Sequence, residues 1–235
     1  MRLDKFLAHT GQGTRREVKQ MIRDHRILIN GVRPKTDSHH VNPFLDTVTL
    51  DENPIFYKEF HYVLLNKPKG YVCATEDTIN PPVTDLLVEY EPFHLFPVGR
   101  LDKDTTGVLL LSNNGKLAHR MLSPKHHVEK EYEVTVNKPL DPQMISAFEQ
   151  GIEIHGEYTT LPAKMMIVDE FHAKVIIHEG KYHQIKRMFV ALGYLVTELH
   201  RSRFDFLTVT DLPLGAYREL NETEFQLLNK YLSLE

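Results

Sequence analysis

Apolar and polar side chains alternate along much of the chain after residue 60, and shorter stretches of helical spacing lie between the alternating ones. Strands dominate and the helices follow no regular βαβ order, so the pattern predicts an α+β fold with a mainly antiparallel mixed sheet and flanking helices. The alternation predicts strands at residues 61–66, 130–140, 163–180 and 194–201. The helical spacing predicts helices at residues 114–122, 142–149, 182–192 and 222–231.

The N-terminal segment has the pattern of a small α/β domain. Apolar residues at helical spacing in "MRLDKFLA" predict a first helix, and the spacing of Thr14 and Glu17 is that of a capping box at the start of a second. Asn30-Gly31 is a strong hairpin signal, and "DTVTLDE" predicts a further strand. The predicted organisation is a domain at residues 1–51, a linker at 52–59 and a larger domain at 60–235.

Charge is unevenly distributed along the chain. The net charge is −4, yet residues 1–35 carry nine Lys or Arg against three Asp or Glu, which gives +6 locally and −10 for the remainder. A basic segment on an acidic body favours an anionic partner, and nucleic acid is the commonest large one. The alternative is a solvated helix face that binds nothing.

The composition narrows the class of protein further. With 41% apolar and 26% charged residues, the chain can bury a sizeable core. Its one cysteine, Cys73, excludes an intramolecular disulfide and fits a reducing compartment. No apolar run approaches the roughly 18 residues of a membrane helix, and the N-terminus lacks a signal-peptide pattern. We therefore expect a cytoplasmic protein.

The stretch "GRLDKDTTGVLLLSNNG", residues 99–115, carries the candidate chemistry because Asp102 and Asp104 stand directly before an apolar run. The spacing is similar to the start of a calcium-binding EF-hand loop, but Asn113 occupies the position that needs a bidentate Glu. It is also similar to phosphatases with an aspartyl nucleophile, in which an apolar strand leads into the first Asp. Here Pro97 interrupts that approach, so neither pattern is complete.

Four motifs occur in a fixed order: "NKPKG", "GRLDKDTTGVLLLSNNG", "EKEYEV" and "EGKYHQIKRM". Together they resemble the RNA pseudouridine synthases of the RsuA family over residues 60–220. The segments "RLDKFLA", "TRREVKQMI" and "ILINGVRP" resemble the alpha-L RNA-binding motif of the ribosomal small-subunit protein four type, over residues 1–50. Such a domain is the usual N-terminal appendage of this family.

The resemblance implies an isomerase that turns a uridine already in RNA into pseudouridine. That reaction oxidises nothing and donates no group, so no cofactor and no metal are expected. The motifs are most similar to the branch that modifies one uridine of 16S ribosomal RNA, which implies uridine 516 as the target. A 23S ribosomal RNA enzyme of the same family and a non-catalytic RNA-binding protein are the alternatives. The expected partner is ribosomal RNA, free or within an assembling small subunit, and the expected state is a monomer.

The resemblance also implies roles for particular residues. Asp102 matches the catalytic aspartate, as nucleophile or base, and Tyr132 matches a tyrosine that stacks on the target base. Lys186 matches a basic residue paired with that aspartate, which would keep it ionised and oriented. Asp104 is expected to be only a solvated acid of the turn. The residues expected to bind the target base are Arg100, Leu207, His183 and Lys67, and those expected to bind RNA through the N-terminal domain are Arg2, Lys5, Arg15, Arg16, Lys19, Asn30 and Arg33.

Without the resemblance, several of these residues have simpler explanations. Tyr132 reads as an ordinary strand aromatic that faces the core. Lys67 belongs to a Lys-Pro-Lys-Gly turn, and Arg100 could contact a phosphate or pair with a buried carboxylate. Ile185, Met188 and Phe189 lie on the apolar face of the predicted helix at 182–192, so they are expected in the core.

Overall fold

The computed structural model describes residues 1–233, which divide into two compact units. The first unit comprises Met1–His61 together with Leu87–Leu95, and the second comprises Tyr62–Leu86 together with the chain from Phe96 onward. Each unit has its own hydrophobic core. Within the described residues, no helix is both long and apolar enough to cross a membrane.

The N-terminal unit packs two helices and a three-stranded antiparallel sheet around one core. The capping box forms at the second helix: the Thr14 amide donates to Glu17 Oε2 at 2.7 Å, and the Glu17 amide donates to Thr14 Oγ1 at 3.3 Å. Leu3, Phe6 and Leu7 are buried against Val18 of the second helix. The elements are α1 (Leu3–His9), α2 (Arg15–Arg23), β1 (Ile27–Ile29), β2 (Val48–Leu50) and β3 (Asn53–Ile55), with a 3₁₀ helix at Val88–Phe93.

Two predictions for this unit are wrong in detail. The Asn30-Gly31 turn closes on a single bridge between Ile29 and Val32, and β1 takes β2 as its strand partner instead of a hairpin neighbour. The Asn30 side chain explains this pairing, because it bonds to residues 46 and 47 just before β2. Part of the predicted linker is also a strand, since β3 pairs with β2 and extends the sheet.

The strands of the second unit are β4 (Tyr62–Lys67), β5 (Phe96–Pro97), β6 (Thr106–Ser112), β7 (Lys130–Val136), β8 (Glu153–Ile154), β9 (Tyr158–Thr159), β10 (Lys164–Ile167), β11 (His172–Ile177), β12 (Val196–Phe204), β13 (Leu207–Thr208) and β14 (Tyr217–Glu219). The main sheet is mixed, with the strand order β10-β11-β7-β12-β6-β4-β14, which confirms the predicted fold class, and β8 pairs with β9 separately. Only the pairing of β12 with β6 is parallel along this path. The short strand β13 adds to β12, and β5 adds to β6.

Helices pack on this sheet and complete two apolar cores. One core contains Phe148 and Phe189 against β7, and the other contains Leu117 and Leu228 against β4 and β6. Burial of each such side chain stabilises the fold by roughly 1.5–3 kcal/mol. The helices are α3 (Gly115–Leu122), α4 (Gln143–Gln150), α5 (Gln184–Ala191) and α6 (Glu222–Leu232), with 3₁₀ helices at Val83–Leu86 and Pro124–His126.

The apolar run behind the two aspartates belongs to a fully buried strand of the sheet. All seven residues of β6 are buried, and β6 lies between β4 and β12. At its start, Gly107 (φ +106°) approaches the backbone of Arg201 so closely that an added Cβ would lie 2.2 Å from the Arg201 carbonyl oxygen. Only glycine permits both that φ and that approach. The strand therefore anchors the loop that precedes it.

Replacing Gly107 by alanine tests this close approach. Gly107→Ala should lower the free energy of unfolding by about 3 kcal/mol or more, because backbone strain and a backbone clash add. Urea denaturation measures the change. Gly156→Ala is the matched control: Gly156 also has positive φ (+72°) but nothing within 4 Å of an added Cβ, so it should lose only about 1 kcal/mol. Equal losses in the two variants would contradict the account.

Candidate active site

Asp102 lies in the loop between β5 and β6, and that loop is fastened at several points. The Thr105 amide donates to the Asp102 carbonyl at 3.1 Å, which closes a turn around the two aspartates. The Gly70 amide donates to the Lys103 carbonyl at 2.8 Å, and the Leu101 amide donates to Cys73 Sγ at 3.2 Å. The "NKPKG" turn and the "GRLD" loop are therefore held against each other.

Lys67, the last residue of β4, ties this loop from the inside. Its side chain is fully buried, and Nζ donates to the carbonyl oxygens of Asp102 (3.0 Å), Thr105 (2.9 Å), Pro68 (3.2 Å) and Lys103 (3.4 Å). Burial lowers the Lys67 pKa from its usual value. The interpretation of Lys67 as a base-binding residue is wrong, because its ammonium is enclosed by loop carbonyls and faces no open surface.

Lys186 of α5 brings a cation to the two aspartates. Its Nζ lies 2.9 Å from Asp102 Oδ2 and 2.6 Å from Asp104 Oδ1. Burial disfavours the charged amine, but the hydrogen bonds to Asp104 and Asp102 outweigh it and raise the Lys186 pKa. Burial likewise opposes ionisation of Asp104, yet the bond from Lys186 lowers the Asp104 pKa overall. Asp104 is thus exposed but not a free turn acid, since it shares Lys186 with Asp102.

A cleft opens beside Asp102, and it is lined by the loop, by β7, by β12 and by the segment 177–185. Arg100 and Asp102 come from the loop, Tyr132 from β7, and His183 from the segment before α5. His183 Nε2 lies 3.5 Å from Asp102 Oδ1, whereas Arg100 is exposed at the cleft edge. The remaining lining residues are Leu101, Thr105, Ile177, Gly180, Lys181, Gln184, Ile185 and Leu199.

The apolar wall of this cleft differs from the prediction. Leu207 is fully buried in the core that contains Leu64 and Phe204, and it does not line the cleft. Ile177 and Leu199 supply the apolar surface near Tyr132 instead. The register explains the difference, because Leu207 pairs with the far end of β12, at Phe204, whereas Leu199 lies five residues earlier on that strand.

The structure also adds residues that the motif analysis missed. Gln184 is buried, accepts from the Lys181 amide at 3.0 Å and donates to Glu179 Oε1 at 2.7 Å. Glu179 Oε1 in turn accepts from the Leu161 amide at 2.9 Å. This network fixes the turn that leads into α5. A buried Gln at the start of a helix leaves no periodic pattern in a single sequence, so only the fold shows its role.

Two further cations are buried in this unit, Lys130 and Arg201. Arg201 Nε and Nη2 both donate to the Val108 carbonyl, at 2.8 and 2.6 Å. Lys130 Nζ donates to the Val128 carbonyl at 3.0 Å and the His178 carbonyl at 3.4 Å. Burial, with the charge of Arg201 added, lowers the Lys130 pKa to about 8. Backbone carbonyls, which carry no full charge, therefore solvate both cations.

The buried Lys130 makes stability depend on pH. Between about pH 8 and the ordinary lysine value of 10.5 the unfolded chain binds more protons than the folded one, so Lys130 favours folding more as pH rises. Relative to Lys130→Met, the wild-type free energy of unfolding should increase by about 2 kcal/mol from pH 7 to pH 10. Urea denaturation of both chains at the two pH values measures this. An unchanged difference would contradict the assigned burial.

The N-terminal unit presents its own basic surface. Arg2, Lys5, Arg15, Arg16 and Lys19 line one groove together with Asp4, which accepts two bonds from Arg2, at 3.0 and 2.8 Å. Arg33 is exposed. The Asn30 side chain, by contrast, is hydrogen-bonded within the unit: Nδ2 donates to Asp46 at 2.9 Å, and Oδ1 accepts from the Thr47 amide at 2.9 Å. The prediction that Asn30 contacts RNA is therefore not supported by its bonding.

The chemistry available at the cleft is that of one carboxylate held by a cation beside a buried aromatic ring. Asp102 is one-quarter exposed at its side chain and is fixed by Lys186, while Tyr132 is 7% exposed and faces the same cleft. Among residues 1–233, no three His, Cys, Asp or Glu side chains group as metal ligands. The site therefore offers a positioned nucleophile or base next to a surface for a flat ring.

Comparison with known proteins identifies the family of this chain. Residues 61–191 match the family described as RNA pseudouridylate synthase, and residues 1–44 match the S4 domain. The first match covers more than half of the chain, and the chain belongs to the RNA pseudouridylate synthase family. It is accordingly an isomerase with an S4 domain at its N-terminus.

Particular relatives resemble the whole chain. An uncharacterised RNA pseudouridine synthase of Bacillus subtilis (strain 168) is 45% identical over 236 residues, which cover 98% of this chain and 99% of the relative. The ribosomal small subunit pseudouridine synthase A of Escherichia coli (strain K12) is 40% identical over 227 residues, covering 95% and 98%. A crystal structure of a pseudouridylate synthase at 37% identity gives a TM-score of 0.67, covering 97% and 99% of the two chains.

Proposed function

We propose that the chain converts one uridine of 16S ribosomal RNA, uridine 516, to pseudouridine, with Asp102 as the catalytic carboxylate. The observation that carries this is the Asp102–Lys186 pair at the mouth of a cleft walled by Tyr132. The small-subunit target is supported by relatives named for that subunit at 40% identity over 95% of the chain. Such an enzyme works in the cytoplasm, on free RNA or on an assembling particle.

The reaction needs few functional groups. The bond from uracil N1 to the sugar C1′ breaks, the uracil turns over, and a bond from C5 to C1′ forms while C5 loses its proton and N1 gains one. Asp102 supplies a carboxylate that attacks C1′ or removes a sugar proton. Lys186 orients that carboxylate, since its Nζ lies 2.9 Å from Oδ2. Tyr132 offers its ring face to a base held outside the helical stack.

The N-terminal unit supplies affinity for RNA. Its basic groove, lined by Arg2, Lys5, Arg15, Arg16 and Lys19, suits phosphate oxygens, which position an RNA without selecting its sequence. Arg33 adds an exposed cation to this unit. In the larger unit, Arg100 at the cleft edge is suited to a phosphate near the target nucleotide. Selection of one uridine therefore depends on the groups around the cleft.

Tritium release tests the role of Asp102. The wild-type chain should release tritium from C5 of labelled uridine in a 16S transcript, and Asp102→Asn should abolish release because the amide can neither attack nor accept a proton. Asp104→Asn is the matched control: it keeps the Asp102–Lys186 pair and should retain most activity. Activity in Asp102→Asn would overturn the mechanism. Tritium release from 23S transcripts alone would show that the target lies in 23S ribosomal RNA. RNA binding without any tritium release would favour a non-catalytic RNA-binding protein.

Lys67 is predicted to act as a positioning residue. Lys67→Met removes every bond from Nζ to the loop carbonyls, so the loop should relax and kcat should fall roughly 100-fold, while KM changes little. Lys69→Met is the control, since Lys69 is exposed and pairs with Glu198 at the surface. Single-turnover kinetics separate the two constants. A Lys67→Met effect on KM alone would indicate a substrate contact instead.

A further inference from the structure

The segment before α5 presents an exposed aromatic stack beside the cleft. The rings of Tyr182 and His183 are stacked, with centroids 3.8 Å apart and planes inclined by 18°. Tyr182 is 74% exposed, so the outer face of this stack is open to solvent. An exposed tyrosine alone is ordinary, but here the ring is already packed on one face and available on the other.

The stack is continuous with the site. His183, the inner ring, lines the cleft and places Nε2 3.5 Å from Asp102 Oδ1. Lys181, on the other side of Tyr182 in sequence, also lines the cleft. Tyr182, the outer ring, therefore lies between two residues that line the cleft.

The backbone holds the stack in place. His183 has φ +48°, a left-handed conformation that costs a non-glycine residue energy and that the surrounding structure must maintain. Gln184 maintains it from the following position: its buried side chain accepts from the Lys181 amide at 3.0 Å and donates to Glu179 at 2.7 Å. The rings are consequently presented before any ligand arrives, which reduces the entropy cost of stacking.

The electrostatics around the stack suit a nucleotide. Lys181 Nζ lies 3.6 Å from the ring centroid of Tyr158 and 3.5 Å from Glu179 Oε2, and its side chain is 43% exposed. Arg187 Nη2, on the first turns of α5, lies 2.6 Å from Glu157. Lys181 directly precedes Tyr182, and the Arg187 amide donates to the His183 carbonyl at 2.9 Å, so both cations lie close to the rings, each paired with a glutamate. Such a surface binds the π-face of any unpaired base.

We propose that the Tyr182–His183 stack is a binding platform for the unpaired base next to the target uridine. The inference rests on the proposed function, since it assigns the neighbour of the nucleotide that Asp102 acts on. The outer ring of Tyr182 stacks on that neighbouring base and so fills the gap that the target base leaves when it turns into the cleft. The platform recognises an unpaired base at that place and not its identity.

A double-mutant cycle between protein and RNA tests the platform. The substrate is a 16S fragment around the mapped target, made with its normal sequence or with an abasic nucleotide on the 5′ or the 3′ side of that uridine. The proteins are the full-length wild-type chain, Tyr182→Ala and Tyr182→Phe. Single-turnover tritium release at increasing enzyme concentration gives the half-saturating concentration and the maximal rate separately.

On the normal fragment, Tyr182→Ala should raise the half-saturating concentration roughly 5- to 100-fold, because one stacked base is lost, with little change in the maximal rate. Tyr182→Phe should restore wild-type values, since it keeps the ring. One of the two abasic fragments should raise the half-saturating concentration of the wild-type chain by a similar factor. On that fragment, Tyr182→Ala should have the same half-saturating concentration as wild type. The platform would be overturned if Tyr182→Ala and wild type had equal half-saturating concentrations on the normal fragment. It would also be overturned if Tyr182→Ala raised the half-saturating concentration by the same factor on both abasic fragments as on the normal one.

The same samples separate the two proposals. Tritium release by wild type from the normal fragment reports on the proposed function, whatever Tyr182 does. If tritium is released but the effects of Tyr182→Ala and of the abasic nucleotide are independent, the platform alone is refuted. If no tritium is released from the 16S fragment, the function on which the platform rests is refuted. Urea denaturation of Tyr182→Ala is the folding control, and its midpoint should match wild type because the ring is 74% exposed.

Discussion

The buried ammonium of Lys67 is the constraint on which the candidate site depends. A cation out of water is costly unless its hydrogen bonds are satisfied, and Lys67 satisfies them with four carbonyl oxygens, three of them in the Asp102 loop. The loop has to curl around Nζ to supply them. The position of the Asp102 carboxylate therefore depends on Lys67, a buried residue that does not line the cleft.

The strands make that arrangement rigid. Lys67 ends β4 and faces Gly107 at the start of β6, and Gly107 in turn lies against the backbone of Arg201 in β12. Three strands thus meet where the loop enters the sheet. On the open side, Lys186 from α5 reaches both aspartates. Lys67 holds the backbone of the loop from inside the fold, and Lys186 holds the aspartate side chains from the cleft side. The two lysines therefore have different roles.

Much of this could be predicted from the sequence, where local pattern or an ordered motif carried it. The apolar run after Asp104 is a fully buried strand, and Ile185, Met188 and Phe189 lie in the core, because periodicity alone determines which side is apolar. Pairing of Lys186 with Asp102 was implied by the family resemblance that the ordered motifs carry. The buried strand and the buried helix face depend on spacing within short segments.

What sequence reasoning missed depends on contacts between distant segments. Burial of Lys67 requires the loop carbonyls 35 residues away or more, and a Lys-Pro-Lys-Gly run reads equally well as an exposed turn. Leu207 lies in the other core because of the β12–β13 register, which no local pattern encodes. Asn30 and Gly31 do form a turn, but the partner of β1 is chosen by side-chain bonds to residues 46 and 47.

Mapping pseudouridines in ribosomal RNA from cells that lack the gene tests the central claim most directly. The account predicts that one pseudouridine disappears, from 16S ribosomal RNA, that it returns when the wild-type chain is supplied, and that it does not return with Asp102→Asn. Retention of every pseudouridine in those cells, or restoration by Asp102→Asn, would contradict it.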